Sequence, residues 1–364
     1  MRLFLCGDVM TGRGIDQIMP RQCDPVLYER YMHSALGYVE LAEDASGRIP
    51  RAAPADYIWG DALEELDRRK PDLRIINLET SITAGGDPEP KGINYRMHPD
   101  NVECLKAGRI DCCALANNHV LDWGRKGLAD TLETLATAGI ATAGAGPDAD
   151  SAARPAILET AAGKRLLVFA FGCPSSGIPE RWAAGAERPG VNVLDDSGAS
   201  DVPRVARDIM AWKRPGDLVL VSIHWGGNWG YDMAPSQRDL AHALLDQAGA
   251  DIILGHSSHH PKAIEIHAGK PILYGCGDFI NDYEGIGGNE EFRPDLAVGY
   301  VVDIDDQSHL LARIELIAFR IAKFRLERAL PRDTAWLADR LDRECGRFGH
   351  RIRRTGDNVL ALSW

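Results

Sequence analysis

Short apolar runs recur along the chain, and each closes on a polar cluster. Arg2 to Cys6 reads as a strand ending in Gly7-Asp8, and Leu73 to Leu78 as one ending at Glu79. Ile110 to Ala116 runs into Asn117-Asn118-His119, Leu218 to Ile223 into His224-Trp225-Gly226, and Ile252 to Leu254 into Gly255-His256. Runs this short, bounded by turn formers, have the length of strands rather than helices. Between them the period changes. Leu128, Leu132 and Leu135 fall on one helical face within 127–138, and Gly139 supplies a C-cap. The same reading predicts helices over 61–69, 100–107, 202–212, 236–248 and 334–348. Ala156 to Leu158 with Arg165 to Phe171, and Ala263 to His267 with Pro271 to Tyr274, read as strand pairs around Gly-containing turns. Segments 298–304, 311–317 and 359–362 are further strands.

This alternation predicts an α/β fold. There is no internal repeat or low-complexity linker, so one domain over 1–364 is expected. The polar stretch at about 17–58, with Pro20, Pro25 and Pro50, is expected to be an insertion or lid.

Composition narrows the function classes. The 364 residues are 45% hydrophobic and 26% charged, an ordinary globular balance. A net charge of −12 argues against nucleic acid as the main partner, because phosphate binding needs a basic face. The first apolar run, Leu3 to Cys6, is too short for a signal peptide or membrane anchor, so a cytoplasmic location is expected. The cysteines at 6, 23, 104, 112, 113, 173, 276 and 345 form no C-x-x-C pair. They read as free, mostly buried thiols.

The strand ends carry the chemistry. Asp8, Glu79, Asn118 with His119, His224, His256 and His259 all follow predicted strands. Sites in such sheets form outside the carboxyl ends of the strands, so these groups are expected to converge on one cleft. Taken singly, Gly7-Asp8 reads equally as a turn, Glu79 as an exposed strand end and His224 as a satisfied core histidine. The spaced set, with three histidines within 256–260, reads as a site for one or two divalent metal ions: manganese, iron, zinc or calcium. Glu79 is the candidate bridge between two ions.

The segments GDVMTGRGID, INLETSIT, LANNHVLDWG, SIHWGGNWG, LGHSSHHP and LYGCGDFIND, over residues 7 to 282, resemble the CapA-like family of capsule and poly-γ-glutamate biosynthesis. Through it the chain resembles the calcineurin-like metallophosphoesterase superfamily. That resemblance implies a layered αββα sandwich with the site at the C-terminal ends of the strands. It implies Asp8 and Glu79 as metal ligands, with Asn118, His224 and His256 on one metal and His259 on the other. It implies His119 as general acid or base. Two departures stand out: Val9 and Met10 replace the D-x-H histidine, and the last pair is H-x-x-H. Simple phosphatase activity is thereby put in doubt.

Around this set, Arg13 is a candidate anion clamp, with a surface arginine as the alternative. Asn94, Tyr95 and Arg96, with Lys91, form a candidate substrate loop; Trp225 and Trp229 are candidate binding-surface aromatics. Asp278 and Asp122 are read as groups that orient a histidine. Three functions compete. The preferred one is metal-dependent acid/base chemistry on a peptide or polyglutamate-like chain. Its specific form is Cα epimerisation of the C-terminal residue of a lasso-peptide precursor, because lasso-peptide epimerases of the CapA-like family are similar in layout. Asp8, His119, His259 and His260 are its candidate acids and bases. The alternatives are a divalent-metal phosphoesterase and a capsule-synthesis or metal-stabilised binding subunit.

Overall fold

A computed structural model describes residues 1–197 and 199–364. Its frame is two sheets. The larger runs in the order Arg351–Arg354, Val359–Ser363, Leu311–Ala322, Leu296–Ile304, Arg2–Val9, Leu73–Leu78, Cys112–Ala114, Ala141–Ala143. From Arg2–Val9 to Ala141–Ala143 its pairs are parallel. The second sheet runs Ile264–His267, Lys270–Leu273, Ile252–His256, Leu218–His224, Arg165–Gly172, Ala156–Glu159, and its four middle strands are parallel.

Period-two alternation sorts the second sheet into layers. On Arg165–Gly172, Leu166, Val168 and Ala170 enter the core shared with the first sheet. Leu167, Phe169 and Phe171 point the other way, into a core with Val205, Ile209, Leu240 and Leu244 of the helices Val202–Trp212 and Pro235–Asp246. Leu218 and Leu220 against Val219 and Val221 repeat the split. Helices Ala62–Arg69, Gly124–Thr137 and Pro331–Gly346 bury Leu66, Leu128, Leu135 and Leu337 in the first core. The fold is therefore a layered α/β sandwich.

The helix over 124–137 ends as its sequence predicts: Gly139 takes φ 73° and its N–H reaches the Ala136 carbonyl at 3.1 Å. Other boundaries moved. The expected 110–116 strand keeps only Cys112–Ala114, and Pro99 starts a 3₁₀ turn before the helix Glu103–Ala107. Ala141–Ala143, Asp278–Ile280, Arg325–Arg328 and Arg351–Arg354 are strands without an apolar run to announce them; pairing partners hold them. The 17–58 segment contains the helix Leu36–Ser46 and a small cluster of Leu27, Ala35 and Tyr38. All eight cysteines are free and buried. Among the described residues no helix is long and apolar enough to cross a membrane.

One contact ties the frame to the site. The N–H of Asp8 donates to the Gly277 carbonyl at 3.1 Å, beside Gly7. A Cβ on Gly7 would stand 1.9 Å from that carbonyl oxygen and 3.0 Å from the Cys276 Cβ. Gly7→Ala is therefore expected to cost roughly 1–3 kcal/mol through overpacking, read as a lower urea midpoint at unchanged m-value.

Candidate metal centre

Register brings the polar strand ends together. Asp8 pairs with Asn77 on one side and with Asp278 on the other, so both neighbours are set level with it. In the second sheet His224 and His256, each the last residue of its strand, are direct partners. Neighbouring parallel strands lie about 4.8 Å apart with level side chains on one face, which places each pair within reach of a shared ligand.

Two donor triads result. Asp8, His224 and His256 offer ligand atoms within 4.8 Å of one another, and so do Asp8, His259 and Asp278. All five residues are buried. The Asn77 amide donates to Asp8 Oδ1 at 2.7 Å and to Glu79 Oε2 at 3.1 Å, holding the two carboxylates side by side. His256 Nε2 lies 2.7 Å from Ser222 Oγ, and its Nδ1 lies 2.7 Å from His224 Nδ1. His224 Nε2 is 3.1 Å from Asn118 Oδ1. Ser257 follows His256 at φ 97°, a left-handed conformation that costs a serine about 1–3 kcal/mol; its N–H points to Asp8 Oδ2 at 3.3 Å.

The electrostatics suit a cation. Burial, then repulsion from Asp278, raises the Asp8 carboxyl to about 7. Burial and Asp8 push Glu79 well above its ordinary range. Burial lowers His256 to about 3 and holds His224 well below its usual value, so both stay neutral, the form that ligates metals. Burial also acts on His259, but its contact with Asp278 at 2.8 Å outweighs it and the net shift is upward. Lys91, a basic side chain beside Glu79 and His119, is bound to Asp122 at 2.7 Å. Three buried carboxylates beside neutral imidazoles fit a divalent cation, which supplies the missing positive charge. The oxygen and nitrogen donor set fits zinc, manganese or iron.

Several expected roles change. Asp8, not Glu79, is common to both triads; Glu79 sits beside them, 3.9 Å from His224 and 3.7 Å from His119. Asp278 is a candidate ligand as well as an orienting group. It stands with His259, on the strand paired beside Asp8. Only its position after another apolar run signalled it. His119 is oriented as expected, with Nδ1 at 2.6 Å from Asp122 and Nε2 toward Glu79. Burial lowers it to about 4.

His260 lies elsewhere, stacked on Phe292 at 4.8 Å and packed by Tyr231 at 4.4 Å, with Nδ1 against the Pro261 carbonyl. Trp225 is a core residue: its indole N–H donates to the Tyr274 carbonyl, and its ring stacks on Tyr274. Arg13 is buried and bound to Asp282 and Glu29, and it lines the cleft beside His259. Asn94 donates to the carbonyls of Glu89 and Asp122, and Arg96 lies 3.7 Å over the Trp123 ring; both build the loop. Tyr95 and Trp229 do line a cleft of about 170 Å³, with His259 and Tyr283.

Residues 2–283 match the family described as bacterial capsule synthesis protein PGA_cap. A protein of Mycobacterium tuberculosis named "Probable polyglutamine synthesis accessory protein" is 49% identical over 362 residues, covering 99% of this chain and 95% of the relative. "PGA biosynthesis protein CapA" of Bacillus subtilis is 27% identical over 76% of this chain and 62% of its own length. "Capsule biosynthesis protein CapA" of Bacillus anthracis is 30% identical over 53% of this chain and 45% of its own length.

Proposed function

The chain belongs to the bacterial capsule synthesis protein PGA_cap family, and from that premise we propose that it is an accessory enzyme in the synthesis of a glutamate- or glutamine-based polymer. The observation that carries this reading is the pair of buried donor triads sharing Asp8, on a chain similar almost end to end to a polyglutamine synthesis accessory protein. These names favour polymer synthesis over lasso-peptide epimerisation.

Asp8, His224 and His256 would hold one divalent ion, and Asp8, His259 and Asp278 a second, with Glu79 and Asn118 alongside. A bound divalent ion supplies Lewis acidity toward a carbonyl or phosphoryl oxygen. The chain's own groups do the rest. Tyr95, Tyr283 and Trp229 seat the substrate beside His259. Asp122 accepts from His119 Nδ1–H and fixes the tautomer, so His119 Nε2 can take up a proton at the face of Glu79.

The test incubates manganese-loaded protein with oligoglutamate and oligoglutamine in D₂O, followed by mass spectrometry. Metal-dependent binding is expected, with oligomer length redistributed by amide hydrolysis or amide exchange, steps that need no activated monomer. His119→Ala is expected to slow that change by about 10²–10⁴-fold with binding retained. Deuterium at a single Cα with unchanged length would restore epimerisation. Turnover of bis(4-nitrophenyl) phosphate with neither oligomer bound would overturn the proposal in favour of a phosphoesterase.

A further inference from the structure

A second donor cluster lies apart from the shared-Asp8 centre, on the outer side of the second sheet. His242 and Asp246 are four apart on the helix Pro235–Asp246, so they share a helix face. Glu265 and His267 are two apart on the strand Ile264–His267, so they share a strand face. The helix lays one pair against the other. His242 Nε2 is 3.0 Å from Glu265 Oε1, and His267 Nε2 is 3.0 Å from both oxygens of Asp246. Ligand atoms of His242, Glu265 and His267 all lie within 4.8 Å of one another. Glu265 is buried and held by the Tyr274 hydroxyl at 2.7 Å, so one corner is fixed.

We propose that His242, Glu265, His267 and Asp246 form a zinc site that clips this helix to the edge strand of the second sheet. Charge favours a cation here. The two imidazole rings stack with centroids 3.9 Å apart at 16°. Each ring turns Nε2 toward a carboxylate oxygen, so two ring nitrogens and two carboxylates face one another. One divalent ion would balance both carboxylates and take a lone pair from each ring. The set of two imidazoles and two carboxylates suits four-coordinate zinc. Arg238, 3.3 Å from Glu265 and half-exposed, is the competing cation and is free to swing away.

The position gives the clip a purpose. Ile264–His267 is an outer strand of its sheet, paired among the described residues only with Lys270–Leu273. The helix Pro235–Asp246 connects the strands that end in His224 and His256. A clip there would anchor the unit that presents those two imidazoles.

Zinc content after gel filtration tests the site in protein whose central triads are disabled by Asp8→Asn and His256→Ala. One equivalent per chain is expected, and none once His242→Ala and His267→Ala are added. Equal zinc in both proteins would overturn the proposal. The unaltered chain gives a second reading that does not depend on how the variants fold. Zinc is expected to suppress diethylpyrocarbonate labelling of His242 and His267 while exposed His33 still reacts. Unchanged labelling of the pair would refute the site.

Discussion

Arg13→Gln is expected to destabilise the protein by about 3–5 kcal/mol, the scale for stripping the partner from a buried charge. Arg13 Nε and Nη2 meet Asp282 at 3.1 and 2.5 Å, and Nη1 meets Glu29 at 2.8 Å. All three side chains are almost wholly buried. The guanidinium also lies 3.9 Å over Tyr38 and 4.6 Å over Tyr95. Glutamine keeps much of the length but none of the charge, so two carboxylates would remain in the interior uncompensated. Urea unfolding at pH 7 measures the loss. Adding Glu29→Gln and Asp282→Asn should recover most of the loss, because a neutral set has no buried charge to solvate. A deficit under 1 kcal/mol in the single variant would show that water reaches the carboxylates.

Asp8→Asn should act with opposite signs in the metal-free and metal-loaded protein. Without metal, the Asp8 carboxyl is held at about 7 against an ordinary 3.8, a difference worth about 4 kcal/mol. A raised carboxyl contributes its stability below pH 3.8 and loses it as pH climbs through about 7. Metal-stripped wild type should thus be less stable at pH 8 than at pH 5, and Asn should remove much of that slope and raise the pH 8 denaturation midpoint. With metal the order reverses. Asp8 belongs to both central triads, so the amide should abolish stoichiometric binding there and the stabilisation that comes with it, leaving only metal held by the His242–His267 cluster. Melting curves with and without EDTA, with elemental analysis, separate the two. If Asn lowered stability equally in both states, Asp8 would be a packing group rather than a shared ligand.

How much of this was legible in the chain depends on the interaction responsible. Leu73 to Leu78 and Leu218 to Ile223 read correctly because a buried parallel strand is predominantly apolar, and that is a local property. Asp278–Ile280 did not, because its strand state comes from pairing with Arg2–Val9. Arg13 illustrates the same limit at the site. Its spacing from Asp8 suggested an anion clamp, yet Glu29 and Asp282, one of them far along the chain, had already claimed it. Trp225 and Trp229 share one glycine-rich loop; one packs into the core on Tyr274 and the other faces the cleft. His259 and His260 are adjacent in the bend that follows the strand Ile252–His256, which turns one to Asp278 and the other into an aromatic box.

The sequence by itself determined the central strands and most of the helices, the family they belong to, and that oxygen and nitrogen donors close the ends of central strands. Those features follow from periodicity and residue type, which act over a few neighbours. The tertiary structure alone decided that Asp8 is the shared carboxylate, that Asp278 joins it, and that Arg13 is internally neutralised. Those outcomes depend on strand register and on charges paired across hundreds of residues. Register and pairing are energies of the assembled chain, and no local stretch of it carries them.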